Sequence, residues 1–423
     1  MNEKARKHRD FIQNITIAVL TVSAVLLFAQ TQIANLGASS TFSRFFSGPD
    51  THASPVITAQ SGEALSAPVR IAVTSSYGRY GDISLTTGEA DESYEPLRRL
   101  LEQALGSAQA FTASNQQAFL EALNHISVYY DFLSSLPMSV LASLNQTEFS
   151  DDTVSARHLV LAEENEAVFL YLWDDASRYL RCATALSPED LVEVVSQYEL
   201  GNAFFAFENE EAHTAAPCSL FLEDEPALPT LSASAPLSDT TLLASLHFNP
   251  NTQNRYWESD GTEVISETGG RTLRIETSGL VSYQGGNDPT LSIEAAGEFP
   301  TFVEAASEVG ALLNSLLSAG DARVYLESIQ QVGSSTTLSF GYQADGVPIR
   351  FADGQSAAQV TISGTTVTSM TLRFRQYTVR EAESLLLPLR QALAIAASQA
   401  NTELSIGYAD SGSDIVSAAW LAD

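Results

Sequence analysis

Lysine is almost missing from this chain. Lys4 and Lys7 stand alone among 423 residues, and 21 Lys plus Arg face 51 Asp plus Glu, a formal net charge of −30. Nucleic-acid binding needs clustered basic side chains against the phosphates, so this balance excludes nucleic acid as a partner. Histidine is also sparse. His8, His52, His125, His158, His213 and His247 are all isolated, with no pair at i, i+4 and no neighbouring Glu in the spacing of a zinc-protease helix. His158, in Arg157-His158-Leu159, falls within a strand pattern and reads as a structural histidine. Gly-x-Ser-x-Gly, phosphate-cradling loops and dinucleotide fingerprints are missing too. The acidic pairs Asp151-Asp152, Asp174-Asp175 and Glu210-Glu211 lie in loop-like stretches, where solvated surface accounts for them. The expectation is a protein without a catalytic residue, a cofactor site or a metal site, and therefore not an enzyme.

What is present is apolar material. Hydrophobic residues make up 44% and charged ones 17%, enough to build cores, and the length allows two or three domains. The first continuous run is Phe11 to Ile33, purest from Ile15 to Ala29. As a helix it spans roughly 34 Å at ~1.5 Å per residue, enough for a hydrocarbon core of ~30 Å. Lys4, Arg6, Lys7 and Arg9 precede it and predict a cytoplasmic N-terminus with the rest of the chain outside. A cleaved signal peptide shares the basic start, but no small-x-small cleavage site follows Phe28, which favours an uncleaved anchor in the cell membrane. Asn14, Ala18, Thr21 and Val25 recur at i, i+4, i+7 and i+11 and share one stripe of that helix. Small and hydrogen-bonding residues on a stripe allow close helix approach in lipid, so these four are the expected membrane partner face.

Cys182 and Cys218 fall on the predicted outer side. Two cysteines without neighbouring Cys or His ligands fall short of a metal shell. In an oxidising compartment they either pair, closing a loop worth ~3 to 4 kcal/mol, or remain two half-buried thiols.

The composition divides the chain into a cytoplasmic tail (1–10), a transmembrane helix (11–33), a flexible stalk (34–66), a first extracytoplasmic domain (67–208), a linker (209–240) and a second extracytoplasmic domain (241–423). In the first domain, strands are predicted from Val69, from Ile126 to Leu133, and at Ala156–Leu161, Ala167–Trp173 and Arg178–Ala183. Helices are predicted at Tyr94–Ala110 and Asn115–His125, with a short one opened by Ser187-Pro188-Glu189-Asp190. Pro217, Pro226, Pro229 and Pro236 mark the linker, within which Leu220 and Leu222 carry a strand signal. In the second domain, Thr301–Ser318 keeps strict helical spacing and Val379–Ser398 reads as another long helix interrupted by Pro388. Short strands alternate with Gly turns between 255 and 283, and Glu403–Tyr408 with Ile415–Trp420 reads as a terminal hairpin. Helices among antiparallel meanders make the fold class α+β, with one N-terminal transmembrane helix before two domains of antiparallel sheets and packed helices.

The segments Leu246-His247-Phe248-Asn249-Pro250-Asn251, Arg255-Tyr256-Trp257-Glu258-Ser259-Asp260-Gly261, Arg271 to Ile275 and Gly279-Leu280-Val281-Ser282-Tyr283 form a hairpin pattern. With the Tyr-x-x-x-Gly-x-Pro turn at Tyr342 to Pro348, this pattern resembles the YycH family. The ending, Leu404 to Tyr408 with Ala418-Ala419-Trp420, resembles the closing hairpin of YycI and of PepSY-like modules. The first domain is similar to the family in layout rather than in residues. The resemblance implies a non-catalytic, membrane-anchored regulator of the WalK (YycG) sensor histidine kinase, controlling cell-envelope genes beside a YycI-like sister protein. The other reading is a PepSY-like binding or inhibitor module for which the anchor is only a tether.

Overall fold

The computed structural model describes residues 56–57 and 70–422, apart from 76–77, 85–89, 150–151, 175–177, 236–238, 250, 252–253, 288–290, 318–319 and 398–402. The predicted anchor 11–33, with Asn14, Ala18, Thr21 and Val25, lies outside the described residues. Among those described, no helix is long and apolar enough to cross a membrane. The α+β expectation holds: among the described residues, seven α-helices accompany two sheets of nine and fifteen strands.

The nine-stranded sheet is antiparallel throughout. Its order is Leu220–Leu222, Ala203–Phe205, Tyr80–Ser84, Arg70–Thr74, Ser127–Pro137, Ser155–Glu164, Ala167–Asp174, Tyr179–Ala183 and Thr112–Ala113. Both faces of its centre are covered, which is why these strands read as nearly unbroken apolar runs. Along Ala167–Asp174, Val168, Leu170 and Leu172 join one core while Phe169, Tyr171 and Trp173 line the other. The first core receives Leu97, Leu101 and Leu105 of helix Ala90–Ser107 and Leu191 of helix Pro188–Val195. The second receives Phe119, Ala122 and Leu123 of helix Gln116–Asn124. Asn115 and Ser187 cap the latter two helices as their sequence predicts, each side chain accepting a backbone N–H of the first turn.

The fifteen-stranded sheet runs from Arg255–Trp257 through Glu263–Ser266, Thr272–Ile275, Leu280–Gln284, Thr366–Arg373, Ala358–Ser363, Ser335–Ala344, Val347–Phe351, Leu404–Asp410, Ile415–Ala422 and Pro229–Ser234 to Gln376–Glu383. Ala322–Val332 pairs beside Ser335–Ala344. Helix Phe302–Leu317 buries Val309, Leu313 and Leu317 against this sheet. Its start is a capping box: Thr301 Oγ1 accepts the Glu304 N–H at 3.1 Å while Glu304 Oε2 accepts the Thr301 N–H at 2.8 Å.

Three expectations differ from the structure. The linker 209–240 is built into both sheets, since Leu220–Leu222 edges the first and Pro229–Ser234 enters the second between Ile415–Ala422 and Gln376–Glu383. The stalk 34–66 contains the strand Val56–Ile57, which pairs in parallel with Ser292–Ile293. The long helix 379–398 is instead the strand Gln376–Glu383 and a separate helix Leu389–Ala396. Pairing with Pro229–Ser234 claims the first half, and Pro388 has no N–H to continue a helix, so it stands at the N-cap. Of the two readings open for Cys182 and Cys218, the structure has the unpaired one, with both thiols free and buried. Cys182 sits opposite Leu170 in the first core and Cys218 in the second, so the sheet stands between them.

The two sheets meet directly. Strand Ser127–Pro137 packs on Ala322–Val332, helix Met138–Leu144 packs on Phe302–Leu317, and one hydrophobic cluster runs through both halves. Helix Leu389–Ala396 joins from the far side, where Ala392 and Leu393 pack with Ala206, Ala212 and Phe221.

Candidate functional site

A buried set of charges lies at this meeting point, and a local irregularity of one strand creates it. In Ser155–Glu164, Ala156 pairs with Asp174 and His158 with Trp173, leaving Arg157 as an extra residue between them. The register against Ser127–Pro137 also jumps, between Asp131 and Leu136. Such a bulge breaks the alternation of faces. Arg157 and His158, adjacent in sequence, therefore both reach Asp131.

Arg157 Nε donates to Asp131 Oδ1 at 2.6 Å and Nη2 to Oδ2 at 3.1 Å. The same guanidinium reaches the other half of the molecule, with Nη1 donating to Glu403 Oε2 at 3.0 Å and Nη2 lying 2.7 Å from Oε1. His158 Nε2 stands 3.4 Å from Glu403 Oε1 and 3.6 Å from Asp131 Oδ1, without a hydrogen-bond partner. Its ring stacks between Tyr129, at 5.7 Å between centroids, and Trp173, at 6.0 Å. Burial raises both carboxyls, but Arg157 and His158 beside them outweigh it, so both are held below the usual carboxylate range. Burial opposes the charge of Arg157 as well, and Asp131 and Glu403 overcome it.

Glu403 directly precedes the strand Leu404–Asp410, whose other end is pinned by a second buried ion pair. Asp410 is 1% exposed and accepts Arg375 through both oxygens, at 2.9 and 2.8 Å. Tyr377 Oη donates to the same carboxylate at 2.7 Å. Both ends of the terminal hairpin's first strand are thus fixed by charge, one to the first sheet and one within the second. Chemically this arrangement braces. Of the residues able to hold a metal, Asp131, His158 and Glu403 present ligand atoms within 4.8 Å of one another.

None of the residues singled out in the sequence as sites belongs to this cluster. Asn14, Ala18, Thr21 and Val25 lie outside the described residues, and Cys182 and Cys218 are inert core thiols whose protons burial holds on up to about 12. The available signal was Arg157-His158, two polar side chains in an otherwise apolar strand run; nothing in the sequence marks Glu403 as their partner.

No protein-family model matches the chain, and no curated protein matches it. Among solved structures, the crystal structure of YycH from Bacillus subtilis is similar, with a TM-score of 0.52 at 12% identity over 86% of this chain and 95% of that one. The chain shares the fold of YycH. This likeness of fold agrees with the resemblance carried by the residues. The Tyr-x-x-x-Gly-x-Pro segment is the hairpin between Ser335–Ala344 and Val347–Phe351, with Asp345 at φ 47° and Gly346 at φ 78° as the left-handed pair such a two-residue turn requires. The YycH-like stretch 255–283 is a four-stranded meander at the sheet edge.

Proposed function

We propose that the protein is a non-catalytic, membrane-anchored regulator of a two-component sensor histidine kinase that controls cell-envelope genes. The observation that carries this reading is the YycH fold over 86% of the chain. Two further features support it. The apolar run 11–33 behind four basic residues suits a single anchor with a cytoplasmic N-terminus and the folded part outside. The described residues offer bracing ion pairs and buried polar contacts, which suit a body that relays contact.

On this reading the protein acts through two surfaces. The anchor meets the kinase's membrane helices on the stripe of Asn14, Ala18, Thr21 and Val25, and the outer body meets extracytoplasmic parts of the kinase or of a YycI-like sister protein. The test is an anchor exchange, replacing residues 11–33 by an unrelated membrane helix and measuring transcription of the kinase's target genes. Lost regulation at unchanged protein level supports the subunit reading. Retained regulation assigns the activity to the outer body and leaves the anchor as a tether.

A further inference from the structure

The buried cluster at the meeting of the sheets holds one ring nitrogen without a hydrogen bond. Asp131 and Glu403 converge on Arg157 and on the imidazole of His158, away from water. Nε2 of His158, in a residue 4% exposed, has no hydrogen-bond partner and faces both carboxylates. A buried polar atom left in this state calls for an occupant.

The spacing says which kind. Ligands placed tetrahedrally at ~2.0 to 2.1 Å from a zinc ion stand roughly 3.3 to 3.4 Å from one another. The Nε2 to oxygen separations here are 3.4 and 3.6 Å, and all three donor atoms lie within 4.8 Å. We propose that Asp131 Oδ1, His158 Nε2 and Glu403 Oε1 form a binding site for a divalent cation of the zinc class, with water completing the shell.

The donor set favours the borderline ions zinc, cobalt and nickel, since imidazole is a poor ligand for magnesium or calcium. Arg157 is compatible with the ion. It contacts both oxygens of each carboxylate, most closely Oδ1 at 2.6 Å and Oε1 at 2.7 Å, so these two oxygens are shared between the guanidinium and the ion. Hydrogen bonds of that kind orient ligating carboxylates. Its positive charge also weakens the site, making it one that fills and empties with metal supply rather than a permanent structural centre. Arg157 and Glu403, with side chains 17% and 20% exposed, give the side of entry. Two ligands come from the first sheet and the third from the segment leading into the terminal hairpin, so occupancy tightens the hold of one half on the other.

The test uses the full chain in detergent, stripped of metal with a chelator and titrated with cobalt chloride as an optical probe. The expected result is a visible absorption band saturating at one equivalent, bleached by zinc chloride and absent in His158→Gln and in Glu403→Gln. Zinc should raise the thermal midpoint of the unaltered chain and leave that of either variant where it was. Glu403→Gln keeps the shape of a partly exposed side chain, and the titration of the unaltered chain needs no variant at all. If neither band nor shift appears at saturating metal, the proposal fails. A band retained in both variants places the ion elsewhere and overturns it equally.

Discussion

Arg157 and Glu403 are 246 positions apart in the chain, and the guanidinium of one lies 2.7 and 3.0 Å from the two oxygens of the other. Through this pair the strand bulge of the first sheet grips the start of the terminal hairpin in the second. The contact concentrates the joint between the halves in a few side chains, and its removal should be felt well beyond them.

Replacing Arg157 by Leu leaves the buried Asp131 without its guanidinium partner. Breaking a buried pair in this way costs about 3 to 5 kcal/mol. Glu403→Gln keeps the volume and one acceptor, and should cost about 1 to 3 kcal/mol. Urea unfolding of the purified protein, read by tryptophan fluorescence, measures both; equal and negligible losses would show the joint to be carried by apolar packing alone.

Acid should loosen the same joint. Asp131 and Glu403 have carboxyls held lower in the folded protein than in the unfolded chain. Their contribution is therefore complete above the ordinary carboxyl range of ~3.9 to 4.3 and is lost as pH falls through the lower folded values. Stability measured from about pH 6 down to about pH 3 should decline with a slope that Glu403→Gln makes shallower. An unchanged slope in that variant would mean that other carboxyls set the acid limit.

Within the helix Phe302–Leu317, Leu313 is fully buried, Leu316 only partly, and Ser315 is exposed. Leu313→Ala should cost about 2 to 5 kcal/mol, Leu316→Ala less, and Ser315→Ala little. Equal effects at the three positions would contradict the face assigned to the core.

That helix was legible because its apolar residues repeat at helical spacing and Thr301 with Glu304 writes the cap. The central strands of the first sheet were legible for the related reason that both their faces are apolar. Pro229–Ser234 was not: Pro229 and the Ser and Ala around it read as linker, and the strand exists because Gln376–Glu383 and Ile415–Ala422 flank it. The same pairing overrode the helical pattern after Val379. At the charge cluster, Arg157-His158 was visible as a local oddity. Its meaning depends on a bulge and on Glu403, and neither leaves a periodic trace.

The two thiols make a simple check on the core. Burial raises Cys182 and Cys218 to about 12, and the sheet separates them. Neither should be alkylated in the native protein, and both should react after denaturation without a reductant. A disulfide found by mass spectrometry of the unreduced protein would contradict the placement of these strands.

Regulation of a sensor kinase is read in the phosphorylation state of that kinase. The kinase is reconstituted in vesicles with ATP, alone or with an equimolar amount of the full chain, and its phosphohistidine is followed over time. The full chain should change the rate or level of phosphorylation, and the anchor-exchanged chain should not reproduce that change. Identical time courses with and without the protein, at verified co-insertion, would contradict it.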